Sequence, residues 1–255
     1  MTRQIIGVGR VLLWSGGSLW IGRGTGQVQP HAHHAIQISL GLTGRLRLRG
    51  GGKDEAWSDH AGAVVLPHHR HQFDGAGETV ANVFVEPETA QGRALLARHA
   101  HAPIADLPGA FIGPLAAPLG KAFADSRPDE VLIEMSRHLI AALSGEDPAG
   151  TGVDPRIARA IAFVRNRLGG PVTLAEAAAA VHLSPSRFRH LFVAQTGISF
   201  RAYLLWARIA TAAGAAMGGL SWTEAAHRCG FADSAHLSRT CRRMFGLAPF
   251  MLQRG

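Results

Sequence analysis

At 255 residues the chain is long enough to bury two cores, and its hydrophobic content of 47% is ordinary for a soluble protein. No apolar run reaches the ~18 residues expected of a membrane span, and MTRQIIGVGR lacks the apolar stretch and cleavage site of a signal peptide, so a cytoplasmic protein with no membrane partner is expected. The net charge of +8 is uneven: from Asp154 onward 13 Arg and no Lys face 4 acids, whereas residues 1–153 carry 13 Lys plus Arg against 14 acids. A polyanion partner is therefore expected of the C-terminal part alone.

In chain order, residues 10–86 read as strands. VLLWS, SLWIG, HAIQISLGL, RLRLR, AVVLP and TVANVFVEP are short, bounded by turn residues and often alternating. After Pro87 the pattern turns helical, with segments near 88–100, 107–124 and 129–144. In the last, Leu132, Met135, Leu139 and Leu143 recur at helical spacing, a stripe that serves either its own domain or a homodimer seam. Residues 144–153 are polar and rich in Gly and Pro, and read as a linker. Beyond it, Ile157, Ile161, Val164 and Leu168 mark a helix stopped by Gly169, Gly170 and Pro171.

The last hundred residues hold one unit twice, at about 173–194 and 221–243. Leu174, Glu176, Ala177, Ala178, Val181 and Leu183 fall on Trp222, Glu224, Ala225, Ala226, Cys229 and Phe231 at an offset of 48. Past the turn the offset is 49, pairing Phe188 with Leu237 and Phe192 with Cys241. Each copy reads as helix, tight turn, helix, opened by a capping box (Thr173 with Glu176, Ser221 with Glu224). A long helix over roughly 199–216 separates the copies as a stiff spacer, and a short last helix follows Pro249. Cys229 and Cys241 fall at buried positions and are expected to be reduced, space-filling thiols.

Two such units suit insertion of helices into successive major grooves. In the first, Ser184 and Pro185 start the second helix, Phe188, Leu191 and Phe192 point inward, and Ser186, Arg189 and His190 point outward. In the second, Asp233 caps the helix, Leu237, Cys241 and Phe245 point inward, and Ser234, Ala235, Ser238 and Arg239 point outward. Arginine can grip guanine bidentately, serine can serve either base and alanine can meet a thymine methyl. Arg242 and Arg243 suit phosphate contact, which positions without specifying sequence.

LSPSRFRHLFVAQTGISFRAYL and WTEAAHRCGFADSAHLSRTCRRMFGLAPF carry a resemblance: residues 154–255 look like the DNA-binding domain of the AraC/XylS transcription regulators. The resemblance implies two helix-turn-helix motifs on one face of the duplex, promoter or operator DNA as partner, and RNA polymerase as a further one. His182 and Met251 depart from the family pattern, in turns rather than at base-facing positions.

PHAHHAIQISLGLTG and GAVVLPHHRHQFDG resemble the two conserved segments of cupin barrels, which form the sensor of many such regulators. The fold expected is therefore α+β: a cupin-like barrel and helices over 1–143, then an all-α module over 154–255. Along a strand His31, His33 and Gln37 share a face, and the resemblance adds His71. These residues are expected to line an effector pocket; His31, His33 and His71 could instead hold a divalent metal such as Zn, Ni or Fe, with Gln37 standing where the family has a carboxylate and His34, His68 and His69 as rival ligands. The functional expectation is a non-enzymatic, sequence-specific regulator that answers a small-molecule effector without a resident cofactor. The competing expectation is a cupin metalloenzyme fused to a DNA-binding module.

Overall fold

The computed structural model describes residues 5–52, 54–145 and 153–254. Most of the proposed linker, 146–152, lies outside them. The first part is built from β1 (Gly7–Trp14), β2 (Gly17–Gly24), β3 (Ile36–Gly41), β4 (Leu46–Gly50), β5 (Ser58–His60), β6 (Gly62–Val65), β7 (His71–Asp74) and β8 (Thr79–Val85). There follow α1 (Ala90–His99), β9 (Ile104–Leu107), α2 (Gly109–Ala124) and α3 (Asp129–Ser144). Among the described residues, no helix is long and apolar enough to cross a membrane.

Two antiparallel sheets result, one running β1-β2-β8-β3-β6-β9 and the other β5-β4-β7. Leu46, Leu48 and Phe73 of the smaller sheet share an interior with Ala63, Val65 and Phe84 of the larger. On the other face of the larger sheet, Ile36, Ile38 and Leu40 pack against Leu95 of α1, Ile112 of α2 and Leu132 of α3. Period-two alternation therefore buries β3 on both sides and turns Gln37 and Ser39 toward the interior. The leucine stripe of α3 is used up here: Leu132, Leu139 and Leu143 are buried against the sheet and Met135 is partly covered, so the stripe is not a dimer seam.

The second part contains α4 (Pro155–Arg165), α5 (Leu174–Ala179), α6 (Pro185–Thr196), α7 (Phe200–Met217), α8 (Trp222–Arg228) and α9 (Ser234–Phe245). Both capping boxes form, and Ser184 and Asp233 cap α6 and α9 through their side chains. The duplication extends to the turns. Gly197 and Gly246 end α6 and α9 in the left-handed conformation, 49 residues apart. Inside the turns, His182 has φ 56° where its counterpart Gly230 has φ 75°. Both cysteines are free and buried.

The short last helix expected after Pro249 is instead a single 3-10 turn, Pro249–Met251, followed by a strand, β10 (Leu252–Arg254). β10 pairs in parallel with β1, Gly7 opposite Leu252. An edge strand offers unpaired amides and carbonyls, and the tail satisfies them. Strands β5, β7 and β9 were likewise not expected; each has only three or four residues, too few to show a period.

Left-handed backbone is strained for any residue bearing a Cβ. Exposed His182 should therefore tolerate replacement by the residue its repeat partner already uses. His182→Gly is expected to stabilise the protein by roughly 0.5–1 kcal/mol, the relief of αL strain less the larger unfolded-state entropy of glycine. Urea denaturation of the two proteins checks this, and a lower midpoint for the variant would refute it.

Candidate nucleic-acid interface and the seam between the two parts

The structure places the sequence-predicted DNA-contact residues on α6 and α9. Ser186, Arg189 and His190 on α6 are exposed, as are Ser234, Ala235, Arg239, Arg242 and Arg243 on α9. Ser238 is half-buried, so it presents less to a partner than its place on the helix suggested. The inward residues Phe188, Phe192, Leu237, Cys241 and Phe245 are buried, which fixes the roll of each helix. No carboxylate pairs with Arg189, Arg239, Arg242 or Arg243 among the described residues, leaving their guanidinium groups for an outside acceptor.

The two copies differ in their surroundings. The first closes its own core, with Phe188, Phe192, Phe200 and Tyr203 packed on Ile157 and Val164 of α4. The second shares a core with the N-terminal part: Trp206, Leu237, Cys241 and Phe245 cluster with Leu46, Leu48, Phe73 and Phe84. Phe245 stacks on Trp20 of β2 at 4.7 Å between centroids and on Trp206 at 5.4 Å, with Phe84 edge-on at 5.7 Å. Backbone bonds reinforce this seam. The Gln29 amide donates to the Gly246 carbonyl at 3.0 Å, and the Ile6 amide to that of Met251 at 3.0 Å. A Cβ at Gly246 would overlap the Gln29 carbonyl oxygen, so the approach demands glycine there apart from its positive φ.

Charge also crosses the seam. Arg165 of α4 pairs with Glu86 at the end of β8 and reaches the Tyr203 hydroxyl at 3.3 Å. Burial pushes the Glu86 carboxyl up to about 7, opposed by Arg165 and assisted by Glu88. Burial works against the Arg165 charge, and Glu86 and Tyr203 more than offset it. Beside them buried His34 meets Glu88 at 2.9 Å. A cleft of about 700 Å³ opens between the parts, with His33, His34 and His68 on one wall and Trp206, Arg239 and Arg243 on the other. A second, of about 820 Å³, runs past Trp14, Glu86, Arg165 and Arg228.

The structure brings His31, His33, Gln37 and His71 together at the end of the N-terminal sheet interior beneath this seam. His33 lies 6.0 Å from the Trp206 ring and 6.1 Å from that of Phe245. The imidazoles are buried and mutually close, with centroids 4.3 Å apart for His31 and His71 and 5.1 Å for His33 and His71. His33 Nε2 is 2.9 Å and His71 Nε2 3.3 Å from Gln37 Oε1. The rival ligands stand apart: His34 is committed to Glu88, His68 is exposed and His69 contributes its carbonyl to His71. Burial, assisted by the neighbouring imidazoles, lowers His31, His33 and His71 to about 3 each.

These shifts set the sign of the acid response. In the unfolded chain each histidine takes its proton near 6.5, but in the folded protein only near 3, so stability falls as pH drops through that window. Glu86 acts oppositely between its ordinary 4.5 and about 7, but it is one group against three. Each full proton of difference is worth about 1.4 kcal/mol per pH unit. The expected outcome is a denaturation midpoint that falls steadily from pH 6.5 to 5, with less loss in a His31→Phe, His71→Phe double variant. A flat profile in the parent protein would refute the buried, neutral assignment.

Comparison with known proteins bears on both parts. Residues 177–254 match the family model described as a helix-turn-helix domain. An uncharacterised HTH-type transcriptional regulator of Escherichia coli (strain K12), YpdC, is 34% identical over 88 residues. That stretch is 34% of this chain and 31% of YpdC, so the match spans about a third of the relative's length. The ToxT crystal structure from Vibrio cholerae O395 superposes with a TM-score of 0.56 at 12% identity, over 93% of this chain and 98% of ToxT. Unsaturated fatty acid-bound ToxT from strain SCE256 gives 0.54 at 10% identity, over 92% of this chain and 93% of that one. Residues 177–254 thus match a helix-turn-helix domain, carried by a chain that shares the ToxT fold along most of its length.

Proposed function

We propose that this protein is a sequence-specific, DNA-binding transcription regulator whose N-terminal domain, residues 1–143, senses a small-molecule effector. The observation that carries this reading is the pair of exposed, arginine-bearing second helices, α6 and α9, at equivalent positions of a duplicated unit inside a segment of net charge +9. Arg189 and Arg239 are the base-reading candidates, with Ser186, His190, Ser234, Ala235 and Ser238 beside them. Arg242 and Arg243 hold phosphate. Action at a promoter, with RNA polymerase as the downstream partner, and residence in the cytoplasm belong to the same reading, and a homodimer would have to use a surface other than the α3 stripe.

The seam supplies a route for regulation. One flank of α9 faces the sensor, and Arg239 and Arg243 line the cleft whose far wall is His33, His34 and His68. A ligand that binds the docked and released arrangements unequally shifts the population able to engage DNA. The clefts are of small-molecule size, and ToxT, with the same fold, has been crystallised with an unsaturated fatty acid. We read the chain as a regulator rather than an enzyme because the neighbours of the histidine trio are the Gln37 amide and aromatic rings, while the nearby carboxylates are tied to Arg165 and His34. Burial also pushes Cys241 up to about 12 and raises Cys229, which makes both poor nucleophiles.

A duplex selected from a random pool by the full-length protein provides the test. Arg189→Ala and Arg239→Ala should each weaken binding by roughly 1–3 kcal/mol and relax preference at separate base positions about one helical turn apart. Arg242→Ala or Arg243→Ala should lower affinity for all sequences alike and reduce the salt slope by about 1. Failure to enrich any sequence, or parent-like binding by both base-reading variants, would overturn the assignment.

A further inference from the structure

The two helix-turn-helix units pack on different residues of α7. The core of the first takes Tyr203, Leu204 and Ala207, and that of the second takes Trp206, Ile209 and Ala212. Arg208 sits at the changeover. From there its Nε donates to the Leu168 carbonyl at 3.2 Å and its Nη2 to the Gly170 carbonyl at 2.7 Å, in the turns that lead from α4 into α5. Among the described residues no carboxylate pairs with it. Burial disfavours its charge, and two carbonyls rather than an acid stand against that cost.

Two glycines complete the contact. A Cβ at Gly230, in the turn of the second unit, would stand 2.6 Å from the Leu168 carbonyl oxygen and 2.8 Å from Arg208 Nη2. A Cβ at Gly169 would stand 2.7 Å from the Arg228 carbonyl oxygen. The entry to the first unit and the turn of the second therefore meet backbone on backbone, and Arg208 lies against both. The duplication supplies a comparison. At the position equivalent to Gly230 the first unit carries His182, also left-handed but exposed, so the turn itself accepts a side chain. The close approach, and not the turn alone, requires glycine at 230.

We propose that Arg208, with Gly169 and Gly230, is a positioning junction that sets the separation of the two units, and with it the spacing of the two base clusters that the protein accepts in one duplex. Apolar packing along α7 is non-directional. A guanidinium that grips two carbonyls fixes distance and angle together. The demand is strict, because one inserted base pair moves a half-site by about 3.4 Å and turns it by roughly 35°. The spacing half of this inference rests on the regulator reading; the junction half does not.

Spin labels at Ala175→Cys and Thr223→Cys, exposed at equivalent points of α5 and α8, report the separation in full-length protein by double electron-electron resonance, since both native cysteines are buried. One narrow distance is expected in the parent background. Arg208→Ala should broaden it, and Arg208→Lys, which can hold a single carbonyl, should fall between. Gly169→Ala should shift it, because the added methyl group must displace the Arg228 carbonyl, and this variant decides the matter if Arg208→Ala does not fold. A parent-like distance in folded Arg208→Ala, or in Gly169→Ala, overturns the junction. The spacing role is read on the selected duplex with one or two base pairs inserted or removed between the base clusters. The unlabelled parent should bind each mis-spaced duplex about tenfold more weakly, and Arg208→Ala should reduce that ratio to about threefold or less. A parent indifferent to spacing, or an affinity that falls equally at every spacing in the variant, overturns the spacing role. Enrichment of no duplex by the parent overturns the regulator reading, and the label distances still decide the junction.

Discussion

The architecture depends on one shared core. Phe245, the last residue of α9, stacks between Trp20 of the sensor and Trp206 of α7, and Phe84 closes the cluster edge-on. The second helix-turn-helix unit therefore completes its apolar packing with sensor residues, whereas the first packs on α4 and needs no help. Burial of large aromatic surface dominates such contacts. Movement of α9 away from the N-terminal part would expose this aromatic surface to water at a free-energy cost.

Around that core the remaining links are directional. The Gln29–Gly246 and Ile6–Met251 backbone bonds, the parallel β1–β10 pairing and the Glu86–Arg165 pair each fix one edge of the seam. Apolar packing supplies most of the stabilisation and the polar contacts fix the register. The buried Glu86–Arg165–Tyr203 group is costly to desolvate and punishing to break.

Much of the helical half was legible in the sequence because its signals are local. Capping boxes at Thr173 and Ser221, the Ser184–Pro185 start and the inward phenylalanines each reside within one turn of helix. The constant offset between copies then made each unit a check on the other. The strands over 10–86 were visible where they alternate over five residues or more. Strands β5, β7, β9 and β10 were not, because a segment of three or four residues owes its state to the strand beside it rather than to its own pattern. Trp20 and Phe245 are 225 positions apart, and nothing local in either announces that they stack.

The sequence by itself determined the duplicated unit, the confinement of positive charge to it, the outward placement of Arg189 and Arg239, and the presence of His31, His33, Gln37 and His71 in strand-forming segments. Only the tertiary structure decided that these four converge, that the α3 stripe is spent on the sensor, and that the second unit is fused to the sensor core while the first stands alone. The physical reason is range. Capping, periodicity and charge act between residues a turn or a strand apart, whereas convergence of side chains and the sharing of a core depend on how whole sheets and helices close over one another.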